Sequence, residues 1–431
     1  MKNLFFIVYN WLFIPSFWFV LHVTAPFKFK VRRGIQGRKG LFEQLERDVQ
    51  KLTSTRRVWF HSSSMGEFEQ AKPIIAALRK KYRDINIIVT FFSPSGYDHS
   101  KNYKFADIIT YIPFDTPINA RRFLDLLQPT AAVFVRYDVW PNHLWELTER
   151  HIPAFIANAT MRTSSARFFP LMKSFHRMLF DNFESILTVS TKDVEAFSRF
   201  GLTHPTMQAI GETRYDQVWQ RSTEAKKKHL IPSAVLKGKN VLVAGSTWPE
   251  DEEVLLPTIK KLLEYDSNVL IILVPHEPTE EALETIERQL NSKTTFIRFS
   301  LLNDYSHEQV ILVDSIGILM ALYQYADVAY VGGSFRQGIH NVLEPAVYGI
   351  PVFFGPRYTN SQEAQELLRL GGAFVIHDQQ ECYRTIRTLL RGRKEDTDAR
   401  SARRAGQVSL KLVKENVGAT KRFIEHLSKV L

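Results

Sequence analysis

From residue 56 onward the chain alternates short, continuously apolar runs with longer amphipathic stretches. RVWFHS, INIIVTFF, ADIITYIP, TAAVFV, IPAFIANA and SILTVS are runs of the first kind; the stretch from about 65 to 82 and NARRFLDLL carry apolar positions at helical spacing. An unbroken apolar run has no polar face to give to water, so a strand made from it must be covered on both sides. Helices between the runs supply that cover, which is the arrangement of a parallel sheet. A doubly wound α/β sheet is therefore predicted. TKDVEAFSRFG reads as a helix that opens on a Thr cap and closes on Gly201.

The pattern breaks at RSTEAKKKHLIPSAVLKGK, residues 221–239, which is polar, basic and without a strand. A second alternating series then runs through NVLVAGS, NVLIILVP, TTFIRF, QVILVD, DVAYVGG and PVFFG. The reading is two Rossmann-like lobes, 27–220 and 240–431, joined by a linker at 221–239 and facing across a cleft. The closing stretch from Ser401 is helical in pattern, and its last helix is expected to pack back on the first lobe.

Ahead of the first lobe, residues 4–23, LFFIVYNWLFIPSFWFVLHV, hold no charge other than a possible one on His22. The run is long enough to span a bilayer, while Asn10, Pro15 and its many aromatics equally suit an interfacial helix. Residues 1–26 are thus expected to form a membrane anchor or interfacial helix, with a buried first helix as the alternative. No small-residue cleavage site follows, which argues against a removed signal peptide. The basic stretch KFKVRRGIQGRKG comes next and belongs on the cytoplasmic side by the positive-inside rule.

Composition narrows the partners. Hydrophobic residues at 45% and charged residues at 23% describe a globular chain, and the net charge of +11 draws it to anionic surfaces: nucleic acid, phospholipid or a phosphorylated lipid. The basic residues are dispersed and no basic-aromatic RNA motif occurs, so nucleic acid is set aside. The single cysteine, Cys382, excludes an internal disulfide framework and a Cys-based zinc site.

Ligands of open α/β sheets bind beyond the carboxyl ends of the strands, so the loops after each run are where chemistry is sought. GSTWPEDEE, VPHEP, DSIG and GGSFRQGIHNVLEP stand out. In the last, two glycines allow close backbone approach to a ligand. Asn341 is expected to open a helix whose first-turn amides hold a phosphate, while Glu344 accepts from ribose hydroxyls; the alternative is a plain Asn cap with an acidic first turn. Neither GxxxxGK[ST] nor GxGxxG occurs, which leaves ATP hydrolysis and NAD-linked redox chemistry unsupported. His340 and Glu344, four residues apart, make a weak metal pair, and no metal is expected.

In the first lobe, HSSSMGEFEQ (61–70) raises a choice. Ser64 followed three residues later by Glu67 is a capping box; a carboxylate at the end of the first strand is also placed to act as a base. The two roles compete for one side chain. Glu67 is expected to point into the cleft, with Ser64 capping alone and Gly66 leaving room for a substrate.

Taken in order, SSMGEFEQAKPII, FFSPSGYD, PFDTPINARRFLDLLQPTAAVFV, WPNHLW, AGSTWPEDEE, VPHEP, VDSIGIL, YVGGSF and GIHNVLEPAVYGIPVFFGP resemble the transferases of 3-deoxy-D-manno-octulosonic acid (Kdo) that act on the lipid A precursor. The resemblance runs from about residue 56 to 380. It implies a GT-B fold, CMP-Kdo as donor, the lipid A precursor (lipid IVA) as acceptor, and inverting, metal-independent transfer in lipopolysaccharide synthesis at the cytoplasmic face of the inner membrane. It implies no cofactor and no protein partner. The first lobe would bind the acceptor and the second the CMP-sugar. The family's base falls on Glu67, and its CMP contacts on Pro275 and His276, on Ile316, Gly317 and Ile318, and on Asn341, Val342, Leu343 and Glu344. Two positions depart from the family pattern: His276 stands where the family has arginine, and Arg136 and Asp138 stand where it has Glu-x-Glu before WPN. Two alternatives stay open on the sequence alone: a related transferase or epimerase using a UDP-sugar, and an inactive membrane-associated nucleotide-binding protein.

Overall fold

The structure, a computed structural model, describes residues 2–290, 294–391 and 397–431. The chain divides into two compact units: Met1–Gln217 with Val417–Leu431, and Val218–Asn416.

The first unit is built on seven parallel strands: β1 (Arg57–Ser62), β2 (Asn86–Phe91), β3 (Ile108–Tyr111), β4 (Ala131–Val135), β5 (Ala154–Ala159), β6 (Ser185–Thr188) and β7 (Thr206–Ala209), in the order β3-β2-β1-β4-β5-β6-β7. β1 pairs with both β2 and β4, so the winding turns outward in both directions from β1. The loop after β1 therefore lies at the topological switch point, where such sheets bind ligands. Val58, Trp59 and Phe60 are wholly buried, as an apolar run covered on both faces requires. Helix Met65–Lys81 covers one face with Phe68, Ile74, Ile75 and Leu78. The closing helix Ala419–Leu427 adds Phe423, Ile424 and Leu427 to the same apolar cluster.

The second unit repeats the plan with β8 (Asn240–Thr247), β9 (Val269–Pro275), β10 (Phe296–Arg298), β11 (Val310–Leu312), β12 (Val328–Val331), β13 (Val352–Phe354) and β14 (Ala373–Val375), in the order β10-β11-β9-β8-β12-β13-β14. β8 pairs with β9 and β12, which puts the loop after β8 at this sheet's switch point. Of residues 221–239, helix Thr213–Ala225 takes the first part, Ser233–Leu236 forms one short turn, and Ile231 and Val235 are buried with Val241 and Val243.

Each sheet has one edge strand that the hydrophobic pattern passes over. β7 reads TMQA with its side chains alternately exposed, and β14 is only three residues long. Edge strands face water on one side and lose the continuous apolar signature. The helix beginning at Thr191 is capped by Ser190, whose hydroxyl accepts from the Asp193 amide, and not by Thr191. Ser190 is still in extended conformation, which an N-cap residue must be.

The N-terminal segment is one apolar helical run interrupted by a wider turn: helix Lys2–Val8, a π-helical turn Tyr9–Phe13 and helix Ile14–Thr24. Pro15 has no amide to give, which breaks the regular bonding ladder at that turn. One face of the run packs on the first unit. The Tyr9 hydroxyl donates to Asp115 at 2.8 Å, the Asn10 and Asn142 amides pair at 3.1 and 2.8 Å, and Phe17 lies against Trp140 and Phe92. The other face leaves Trp11, Leu12 and Phe19 exposed by 79%, 65% and 63%. Arg38, part of the basic stretch expected on the cytoplasmic side of the membrane, is spent inside the unit. Its guanidinium donates to the carbonyls of Ile112, Gly34 and Phe92 and lies over the Phe92, Tyr111 and Phe114 rings. Burial pushes it down to about 10.

Candidate active site

Ser63 and Ser64 link the buried end of β1 to helix Met65–Lys81, and Ser64 is the N-cap. Helix starts leave amides without intrahelical partners and favour negative charge. Glu67, at the third helical position, answers both: its Oε2 accepts from the Ser63 amide at 2.6 Å and the Ser64 amide at 3.3 Å. The expectation that Glu67 would turn away and leave Ser64 to cap alone is thus corrected: the Glu67 carboxylate itself closes its half of the capping box. Both bonds end on one oxygen. Oε1 has no hydrogen-bond partner among the described residues, so the cap engages only one oxygen of the carboxylate. A Cβ built on Gly66 meets nothing within 4 Å, so the approach is open.

Burial, followed by the negative charge of Asp138, pushes Glu67 up to about 7, against the opposing pull of the Ser63 amide, Arg136 and the Ser64 amide. Asp138 is held in turn. His61 Nε2 lies 2.9 Å from its Oδ2, and the Ser63 hydroxyl bonds to it as well. A carboxylate only accepts, so Nε2 carries the proton, and His61 Nδ1 is left to accept from the Thr90 hydroxyl at 2.9 Å. These bonds keep Asp138 below its ordinary range despite burial. Arg136, in left-handed conformation at φ 65°, turns its Nε to Gln70 Oε1 at 3.3 Å. Ser63 thereby touches both acids, through its amide to Glu67 and its hydroxyl to Asp138. His61 was not singled out from sequence, because a histidine inside an apolar strand reads as core.

In the second unit, Pro275 ends β9 and His276 begins the loop after it. Trp248, from the loop after β8, donates from Nε1 to His340 Nε2 at 2.8 Å, with the two rings within 7° of parallel. The His276 ring lies over that pair, 4.6 Å from Trp248 and 4.5 Å from His340 between centroids. VPHEP and IHNVLEP are brought together by this stack. Burial and the neighbouring His276 push His340 down to about 4. The His276 nitrogens have no hydrogen-bond partner among the described residues. Arg336 lies over the Trp248 ring at 4.9 Å.

Two expectations here change. The helix after Asn341 is only Leu343–Ala346, and Asn341 Oδ1 itself accepts from the Leu343 amide at 3.1 Å, so that amide is not free for a phosphate. His340 faces Trp248, while Glu344 takes a bond from the Asn341 side chain. Gly332 serves packing: a Cβ there would stand 2.1 Å from the Ser246 carbonyl oxygen, where β8 bulges. Gly332→Ala is expected to destabilise the protein by about 1–3 kcal/mol or more, since backbone on both sides cannot yield; urea denaturation checks this. Val342 and Leu343 are buried, and can meet a ligand only through backbone. Ile316, Gly317 and Ile318 form the turn before helix Leu319–Leu322, which rests by Leu319 on Gly245 at the end of β8. Ile316 is 84% exposed and Gly317, at φ 83°, has open space around its Cα.

Comparison with known proteins places this arrangement. The family model described as 3-deoxy-D-manno-octulosonic-acid transferase (kdotransferase) matches residues 33–217. A 3-deoxy-D-manno-octulosonic acid transferase of Aquifex aeolicus is 31% identical over 342 residues, covering 78% of this chain and 87% of the relative. The chain belongs to the Kdo transferase family. A Haemophilus influenzae transferase of the same name is 28% identical over 382 residues, 87% of each chain. Among solved structures, UDP-GlcNAc 2-epimerase from Neisseria meningitidis aligns with a TM-score of 0.56 at 14% identity, over 86% of this chain and 100% of that one. Acinetobacter baumannii MurG aligns at 0.54 and 12%, over 87% and 99%. At such identity these likenesses speak for the fold alone, which is GT-B. The Kdo transferase is a glycosyltransferase with two seven-stranded parallel sheets and an apolar N-terminal helix.

Proposed function

We propose that this Kdo transferase moves Kdo from CMP-Kdo to a hydroxyl of the lipid A precursor with inversion, and that Glu67 is the general base. The observation that carries the reading is the divided carboxylate: Oε2 anchored on two amides, Oε1 unpartnered, and the group pushed up to about 7. A base with that affinity takes the acceptor hydroxyl proton as the oxygen attacks the anomeric carbon, and CMP leaves with the bonding pair. Pro275 and His276, the turn Ile316–Ile318 and Asn341–Glu344 receive the CMP. His276, held flat by Trp248 and His340 with its nitrogens free, meets the phosphate where relatives of this pattern carry arginine. The exposed apolar face of Leu4–Thr24, with Lys28, Lys30, Arg32 and Arg33 beyond it, holds the enzyme at the cytoplasmic face of the inner membrane.

Purified enzyme given CMP-Kdo and tetraacylated lipid A precursor in detergent is expected to release CMP and add the mass of Kdo to the lipid. Absence of both overturns the reading. CMP is also expected to raise Tm where UDP does not, by about 2.7 kcal/mol of added stability at a hundredfold excess over Kd; equal protection by UDP would move the donor to the UDP-sugars.

A further inference from the structure

A cavity of about 270 Å³ lies within the first unit between the N-terminal helix and helix Pro170–Phe180. One wall is Tyr9 and Phe13, from the apolar N-terminal run; the facing wall is Phe175, His176 and Leu179. The third wall is the loop carrying Asp138. The cavity thus runs from the helix suited to a membrane to a residue that shares Ser63 with Glu67. Its volume falls below the roughly 300–1,000 Å³ of sites that enclose whole drug-sized ligands, and its walls are mainly aromatic and aliphatic, which suits a narrow apolar chain. Arg167 also lines it, lying 4.9 Å from the Tyr137 ring centre, with no carboxylate partner among the described residues. A mainly apolar cavity with Arg167 unpaired on its wall matches a hydrocarbon chain attached to an anionic headgroup. Beside it, Phe169 and Leu171 are each 67% exposed, continuing the apolar surface around helix Pro170–Phe180.

We propose that this cavity receives one acyl chain of the lipid acceptor, with Arg167 meeting an anionic group of the same molecule, so that chain insertion brings the acceptor hydroxyl to Glu67. The inference rests on the transfer reading above and adds where the acceptor is gripped. A bilayer lipid is the competing occupant, and the test separates the two.

Two substitutions from different walls fill the cavity: His176→Trp and Val139→Phe. Each is expected to lower the ratio of kcat/KM for tetraacylated acceptor over deacylated acceptor by about tenfold, and to weaken binding of the tetraacylated acceptor, measured without donor, by a similar factor. A ratio that both fillers leave unchanged overturns the proposal, including the case where both acceptors slow together because a bilayer lipid or the fold is disturbed. The donor-free binding assay reads the cavity even if CMP-Kdo is not the donor, so failure of the transfer reading is seen separately, as wild-type enzyme that binds the lipid and does not turn over.

Discussion

Glu67→Gln is expected to lower kcat by about a hundredfold to ten-thousandfold, the range typical of a lost general base, while Tm and CMP affinity stay close to wild type. The substitution separates the cap from the proposed proton transfer. A glutamine carbonyl oxygen still accepts from the Ser63 and Ser64 amides, now held by Glu67 at 2.6 and 3.3 Å, so the cap survives. What is lost is an oxygen able to take a proton, together with a charge at the helix start worth about 0.3–1 kcal/mol. Full turnover in the variant would remove Glu67 as the base; a large fall in Tm would mean that the cap was its main office. The pH profile is the companion measurement. A base works deprotonated, and Glu67 is pushed up to about 7, so kcat/KM should climb between pH 6 and 8 and fall about tenfold per unit on the acid side. The Asp138 charge is one cause of that rise. Asp138→Asn should therefore shift the climb to lower pH, whereas a residue with only a packing role would leave its position alone.

The second large effect concerns stability. Asp115, 1% exposed, accepts from the Tyr9 hydroxyl at 2.8 Å, from the amides of Asn142 and His143 at 3.1 Å each, and from His143 Nδ1 at 2.5 Å. Asp115→Ala leaves four donors, the His143 imidazole among them, facing a buried gap. Breaking a buried pair from one side costs about 3–5 kcal/mol. Because Tyr9 ties the N-terminal helix to this centre, the variant should lose that helix first. Limited proteolysis ahead of residue 28 should speed up well below the global Tm. Unchanged cleavage with a lowered Tm would place the whole effect at the first turn of helix Pro141–Glu149 and none in the anchor of the N-terminal helix.

The sheets were legible in the sequence wherever both faces of a strand are buried. RVWFHS, TAAVFV and NVLIILVP advertise their place through unbroken apolar runs, and the structure puts them in the interiors of two parallel sheets. One edge of each sheet was not legible, because TMQA in β7 alternates with solvent and AFV in β14 is too short to carry a period. The family, too, was legible, since the order of its motifs lies along the chain. Local geometry at those motifs was not. Asn341 reads as a helix opener that frees amides for a ligand, yet its own side chain takes the Leu343 amide. Gly332 reads as room for a ligand, yet the room is filled by the Ser246 carbonyl.

By itself, then, the sequence determined the α/β class, the two lobes, the apolar N-terminal helix and the family, because each of these is written in neighbouring residues and their order. Only the tertiary structure decided that one oxygen of Glu67 caps while the other stays open, that Asp138 leans on His61 from across 77 positions, and that His276 rests on Trp248 and His340. It also made Arg38, within the basic stretch, a buried tie between carbonyls. The physical reason is common to all four. Burial along a strand or helix follows a period that local sequence carries, whereas hydrogen-bond partners and ring contacts depend on residues that the fold alone brings within a few ångströms.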